Sequence, residues 1–357
     1  MYSSLEYCGS IRHFKIESGV NMSKIKVGIN GVGRIGRTLI RQMVTSPSEQ
    51  IELVAINNPG DPKTYAHLIK YDSVHNTLPH KVALEGDFLQ IDNQQIKFFS
   101  ERDPAKIQWS DFNVDIVIDA TGAFKDREDL GKHIQGTVKK VVLCAPGGDI
   151  DKTIVMGINH GDYDAENHHI ISNASCTTNC LAPVAKVLND SFGIESGFMT
   201  TVHAYTSDQR LLDHSHKDLR RARSAAMSII PTSTGAAKSI ALVIPELKGK
   251  LDGYAVRVPT PNVSMVDLTV TLNKEASIAD INHAMRKAAQ EHMGGILGYG
   301  DEELVSIDYN GSTYSSIYDS TLTNVIGNTA KIVAWYDNES GFSNRVINLT
   351  ELVASKL

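Results

Sequence analysis

The chain has 357 residues, 41% of them hydrophobic and 21% charged, with a formal net charge of -6. That length exceeds one ordinary core and suits two domains sharing an interface. The acidic balance argues against nucleic acid or a membrane surface as a partner, and no apolar run approaches the roughly 18 residues of a membrane span.

Residues 1–21 carry Arg12, His13 and Lys15 but lack the apolar core of a signal peptide. Met22 stands directly before Ser-Lys-Ile-Lys-Val and reads as a natural start, which makes 1–21 an upstream extension, either disordered or a matter of start-site choice. The four cysteines, Cys8, Cys144, Cys176 and Cys180, form no CxxC pair. Cys176 and Cys180, one helical turn apart, are held too rigidly for an easy bridge. Their usage reads as a reducing, cytoplasmic compartment, and no metal site is expected.

Ile25 to Asn30 is short, apolar and β-branched at alternate positions, and it runs into Gly31-Val32-Gly33-Arg34-Ile35-Gly36. A helix with Ile35, Leu39, Ile40 and Met43 on one side follows. Strand, GxGxxG and helix in that order is the context of a dinucleotide-binding fingerprint. Gly31 permits the tight turn, Gly33 lets the backbone approach a pyrophosphate, and Gly36 lets helix pack on strand. The helix N-terminus offers free N–H groups to the phosphates.

A second strand, Ile51–Asn57, arrives after the helix, and further strands at Asp115–Ala120 and Lys139–Cys144 complete a doubly wound α/β pattern. The end of the second strand normally carries an acid that grips the ribose hydroxyls. Asn58 stands there instead, opening Asn58-Pro59-Gly60-Asp61-Pro62, which also reads as a plain turn. An amide still bonds a ribose without repelling a 2′-phosphate. The expectation is NAD as cofactor with NADP also accepted.

Residues 170–180 read Ile-Ile-Ser-Asn-Ala-Ser-Cys-Thr-Thr-Asn-Cys, a strand followed by a small polar stretch that opens a helix. Ser175 is a good N-cap and puts Cys176 in the first turn. The positive dipole end there favours the thiolate, the nucleophilic form. Cys180, one turn deeper, reads as a packed small hydrophobe. The segment Met199–Thr206 reads as a strand ending in His203, whose ordinary pKa of about 6.5 suits it to take the thiol proton.

The stretch Ser172-Asn173-Ala174-Ser175-Cys176-Thr177-Thr178-Asn179-Cys180-Leu181-Ala182-Pro183 resembles the active-site signature of the glyceraldehyde-3-phosphate dehydrogenases. The likeness runs over nearly the whole chain from Lys24, through Lys70-Tyr71-Asp72-Ser73, Thr200–His203, Pro231–Lys238, Arg257–Val263 and Trp335–Glu339. It implies a Rossmann dinucleotide-binding domain (22–175 and 339–357) plus an α+β catalytic domain (176–338) on a mixed, mostly antiparallel sheet. The C-terminal helix returns to the first domain, as Phe342, Val346, Leu349 and Val353 on one helical face allow. It implies a homotetramer whose partners are a small-molecule substrate and inorganic phosphate.

By that resemblance Cys176 attacks the aldehyde of glyceraldehyde 3-phosphate, His203 acts as base, hydride leaves to the nicotinamide, and phosphate attacks the thioester. Thr206, Asp208 and Arg257 match positions around the substrate phosphate. Ser175, Thr177, Arg221, Thr234 and Gly235 match those holding the attacking phosphate. Arg220 and Arg223, beside Arg221, read as solvated charges. Arg34, Ile35, Asn58 and Arg102 match cofactor-contacting positions, and Asn338 the residue orienting the nicotinamide carboxamide. Cys144 stands where many relatives place Ser or Thr, so a hydroxyl donor is missing there. Ser215 stands where strict NAD enzymes often carry proline, a second change toward NADP. The nearest alternative activity is oxidation of erythrose 4-phosphate; an interaction role for the same fold is another.

Overall fold

A computed structural model describes residues 23–357; the extension assigned to residues 1–21 lies outside them. Two large sheets organise the chain. The first has nine strands with Ile25–Asn30 at its centre. On one side lie Ile51–Asn57 and then Gln94–Phe99, Phe88–Ile91 and Val82–Glu85. On the other lie Ile116–Asp119, Lys140–Leu143, Ile170–Ser172 and Lys152–Thr153. The central strands pair in parallel, whereas the edge formed by 82–99 is antiparallel.

The chain leaves Ile25–Asn30 for one neighbour and later returns to the neighbour on its other side, so a crevice opens at the carboxyl ends of these strands. Asn57 donates to the Asn30 side chain at 2.8 Å, and Asn30 donates to Asp119 at 2.8 Å. These buried amides lock three strand ends beneath the glycine loop.

Helix Arg34–Thr45 buries Gly36, Leu39, Ile40 and Met43 against this sheet. Helix Ser340–Ala354 packs on the same face, and Phe342, Val346, Leu349 and Val353 share one core with Val27, Leu39 and Ile118. Each fully buried aliphatic side chain there stabilises the fold by roughly 1.5–3 kcal/mol.

The second sheet has seven strands, with Ile194–Ala204 paired in parallel to Leu251–Val258 and antiparallel to Ser264–Leu272. Thr329–Tyr336 and Ser316–Ile326 continue it in antiparallel pairing. Four of its six pairings are antiparallel. Helix Cys176–Phe192 lies on this sheet, burying Leu181, Val184, Ala185 and Leu188 with Leu268 and Ile332. Its first residue, Cys176, touches both large cores.

The glycines of the loop divide their work. Gly31 sits at φ +95°, where an added Cβ would meet Thr121 N at 2.7 Å. A Cβ on Gly36 would fall 1.9 Å from the Gly31 carbonyl oxygen, whereas one on Gly33 would meet nothing within 4 Å. Gly36→Ala therefore forces helix from strand and lowers stability by about 1–3 kcal/mol, while Gly33→Ala leaves the melting temperature near wild type. Thermal scans of the two variants side by side check this; equal melting temperatures would refute it.

Candidate active site

Strand Ile170–Ser172 belongs to the first sheet, and the catalytic helix begins at Cys176 on the second. Ala174, at φ +57°, turns the chain between them in the left-handed region that non-glycine residues seldom adopt. Ser175 caps the helix, its Oγ accepting from the Thr178 N–H at 3.0 Å. The cap leaves the thiol in the first turn, beside free N–H groups.

Opposite stands His203, one residue before the end of strand Ile194–Ala204. Cys176 Sγ and His203 Nε2 lie 3.5 Å apart. Parallel pairing puts Arg257 directly beside His203. Nδ1 lies 2.7 Å from the Ala204 carbonyl oxygen, and Arg257 Nη1 approaches Nδ1 at 2.6 Å while donating to Ala204 at 2.9 Å. In the tautomer whose Nδ1–H donates to Ala204, the Nε2 lone pair faces the sulfur.

Tyr336 closes the back of the site. Its hydroxyl bonds Thr177 Oγ1 at 2.9 Å and Thr201 Oγ1 at 2.8 Å, and its ring meets His203 edge-on. This residue escaped the sequence reading. The alternation Ile332, Ala334, Tyr336 on an inward-facing strand was the signal that could have found it.

Burial and Arg257 push the His203 pKa down to about 3. Burial also pushes the Cys176 thiol up, against the opposing pull of Arg257 and Thr177. Loss of hydration and the helix end therefore act on this thiol in opposite directions.

Among the anion-binding candidates, Arg257 and Arg221 act on the thiol–imidazole pair electrostatically. The buried Nε of Arg257 has no partner, an open donor at the site. The positive charge of Arg221 acts on both His203 and Arg257. Arg221 donates to Thr232 Oγ1 and the Ser233 carbonyl and pairs with Asp208. Asp208 therefore orients Arg221; as a carboxylate it is a poor phosphate ligand. Thr234 and Gly235 follow Ser233 directly, and the Thr234 hydroxyl accepts from the Ala236 N–H. Thr206 opens the loop after the strand, its N–H bonded to Gln209. Thr177 has its hydroxyl on Tyr336, and its backbone N–H acts on the Cys176 sulfur. Arg223 pairs with Asp213 at 2.7 Å, both exposed, and Arg220 is exposed.

The dinucleotide candidates lie around the first sheet. Gly33 caps its helix without a side chain, so the N–H groups near Arg34 and Ile35 face an open cradle. A Cβ at 33 would project into the space a pyrophosphate needs, and the loop fits that group. Arg34's guanidinium is bound to Asp72 and Glu339, so its contribution to a phosphate is the backbone N–H. Asn58 accepts from the Val32 N–H at 2.8 Å and donates to the Pro59 carbonyl, bracing the glycine loop. Asp61 caps the next helix, so the turn reading of this stretch holds alongside.

Arg102 is exposed after strand 94–99, and Cys144 is a free, partly buried thiol whose pKa burial raises. Ser215 bonds His214 and, through its carbonyl, Arg210, all within one loop. Asn338 Oδ1 accepts from Ser264 Oγ at 2.8 Å, which fixes the direction of its amide. Among the described residues no group of three or more His, Cys, Asp or Glu could hold a metal ion.

The depressed imidazole has a measurable consequence. Unfolding returns His203 to its ordinary value near 6.5, so between there and about 3 the unfolded chain binds a proton the folded chain refuses. Stability falls as pH falls through that window, by up to about 1.4 kcal/mol per unit from this group. His203→Gln should lose less melting temperature than wild type between pH 6.5 and 4.5; equal losses would contradict the assignment.

Comparison with known proteins completes the picture. Residues 25–127 match the NAD binding domain of glyceraldehyde 3-phosphate dehydrogenase, and residues 175–338 match its C-terminal domain. The glyceraldehyde-3-phosphate dehydrogenase of Geobacillus stearothermophilus is 56% identical over 333 residues, 93% of this chain and 99% of that protein. Glyceraldehyde-3-phosphate dehydrogenase 1 of Bacillus cereus is 55% identical over 332 residues, with the same shares covered. Glyceraldehyde-3-phosphate dehydrogenase 2 of Trichormus variabilis is 54% identical over 334. With both family domains matched and more than half its residues shared across 93% of its length, the chain belongs to the glyceraldehyde-3-phosphate dehydrogenase family.

Proposed function

We propose that the protein catalyses the phosphorylating oxidation of glyceraldehyde 3-phosphate to 1,3-bisphosphoglycerate with NAD, in glycolysis or its reversal. The observation that carries this reading is the 3.5 Å approach of Cys176 Sγ to His203 Nε2 at a capped helix end. The substrate aldehyde enters with its phosphate on Arg257 and Thr206. Cys176 attacks the carbonyl carbon as its proton passes to His203, forming a thiohemiacetal. His203 passes that proton to the former carbonyl oxygen and takes it back as the oxidation proceeds. When bound, NAD would supply the hydride acceptor; loss of hydride from the thiohemiacetal carbon, with its hydroxyl proton held by His203, leaves a thioester on Cys176. Inorganic phosphate, steered by Arg221, Thr234, Gly235, Ser175 and Thr177, displaces the sulfur and releases the acyl phosphate. The thioester keeps the oxidation energy as long as water is excluded.

The phosphate on Arg257 also matters for the proton. An anion there offsets the guanidinium charge that makes the imidazolium costly, so the substrate raises the basicity of His203. The N–H groups at Gly33, Arg34 and Ile35 would hold the cofactor's pyrophosphate, and Asn338 its carboxamide. Asn58 in place of an acid, and Ser215 in the loop after His203, support acceptance of NADP beside NAD.

The domain division proposed is 22–175 with 339–357 for the dinucleotide and 176–338 for catalysis. The exposed Leu211, Leu212, Leu219, Met227 and Ile229 in one loop support a homo-oligomer, in keeping with a tetramer. The unpaired Cys144, Cys176 and Cys180 support a reducing, cytoplasmic setting.

Initial rates with glyceraldehyde 3-phosphate and phosphate, using NAD and NADP in parallel, test the reading. Cys176→Ser should lose at least about a thousandfold in kcat while still binding NAD, since the nucleophile and not the groove is changed. An unchanged rate would remove Cys176 from the mechanism. NADP turnover below about a thousandth of that with NAD, roughly 4 kcal/mol of discrimination, would remove dual cofactor use.

A further inference from the structure

Four consecutive residues at the end of strand Thr329–Tyr336 each reach a different part of the molecule. Tyr336 bonds Thr177 on the catalytic helix and Thr201 on the strand that carries His203. Asp337 accepts from Asn262, the Gly311 N–H and the Glu339 and Ser340 N–H groups. Asn338 is held by Ser264 of the second sheet. Glu339 crosses to the first sheet, where Arg34 Nε donates to its Oε1 at 2.7 Å and Nη2 bonds Oε2.

The partners of that last contact make it a built feature. Arg34 is the first residue of the helix that follows the glycine loop, and its fork also takes Asp72 at 2.6 and 3.2 Å. His75 Nε2 approaches the second Glu339 oxygen at 2.9 Å. Glu339 is 7% exposed and the Asp72 side chain 3% exposed. Burial works against the Arg34 charge, but Glu339 and Asp72 outweigh it and push its pKa up. A fork bidentate to one carboxylate and shared with a second fixes direction as well as distance.

None of these groups is needed for the chemistry at Cys176. The arginine fork is taken up by Asp72 and Glu339, and Glu339 is one residue past the amide assigned to the nicotinamide. The pair joins two places that a dinucleotide must touch at once. We propose that the Arg34–Glu339 ion pair is a positioning device that fixes the spacing between the glycine loop and Asn338, and so sets affinity for the whole dinucleotide.

This rests on the reading of the glycine loop and Asn338 given under Proposed function. A ligand with two ends gains from the second contact only when both subsites stand at the ligand's own span. Pre-organised spacing removes an ordering cost at binding. Loosening the tie therefore weakens ligands that use both ends and spares those that use one.

ADP-ribose carries the adenosine, the pyrophosphate and a ribose but no nicotinamide ring, so it uses the loop end alone. Glu339→Gln keeps the shape and one acceptor but loses the charge; Arg34→Lys keeps the charge but loses the fork. Titration calorimetry on the full chain should show Kd for NAD rising about tenfold in each variant, with Kd for ADP-ribose unchanged within about twofold. The double variant should be no weaker than either single one, because both remove the same tie. Equal weakening of NAD and ADP-ribose would mean ordinary structural support and overturn the proposal. So would unchanged NAD affinity. If Glu339→Gln fails to bind ADP-ribose for want of folding, Arg34→Lys decides by the same comparison. Wild-type protein that binds ADP-ribose but gains nothing from the nicotinamide would overturn the role given to Asn338 instead.

Discussion

The contact between Cys176 and His203 depends on a seam. The thiol heads a helix packed on the second sheet but is delivered there by a strand of the first, through the left-handed turn at Ala174. The imidazole ends a strand of the second sheet. Their 3.5 Å separation is therefore set by how the two cores meet, and Cys176 touches both. A shift of an ångström between the sheets would leave each residue intact and the pair useless. The return of helix Ser340–Ala354 onto the first sheet, and the polar ties at 336–339, give that seam its rigidity.

Electrostatically the site is unfinished on its own. A buried imidazole stands beside a guanidinium whose Nε has no partner, and a second arginine lies close enough to act on both. Positive groups gathered in a partly dry place are costly unless an anion joins them. Asp208 offsets part of the charge by pairing with Arg221, which also holds that fork in one direction. What remains suits one phosphate on Arg257 and another near Arg221. The chemistry needs the same count, one phosphate already on the substrate and one that attacks.

The sequence disclosed the local order well. Strands Ile25–Asn30 and Ile51–Asn57 stand where alternation and the glycine loop put them, and the strands at 116–119 and 140–143 fall a residue inside their expected ends. Ser175 as cap and Cys176 in the first turn were legible because capping is a local rule. The antiparallel edge at 82–99 was not read, since its strands of four to six residues carry little pattern. Side-chain partnerships distant in sequence were also invisible. Arg34 and Glu339 lie 305 positions apart, and Thr177 and Tyr336 lie 159 apart. The upward push of burial on the Cys176 thiol was invisible for the same reason: the helix end is local, but burial is a property of the assembled fold.

Burial works against charge on both the thiol and the imidazole. Arg257 opposes a charge on the imidazole and favours one on the sulfur. Under the proposed mechanism, a substrate phosphate over the guanidinium would ease transfer of the thiol proton to His203. Activation then coincides with substrate arrival, and binding energy from the remote phosphate is spent at the reacting centre. An aldehyde without a phosphate would meet the same sulfur and the same imidazole, but a less basic one. Such a substrate should lose in kcat and not in KM alone, which is the kinetic mark of a remote group that does catalytic work.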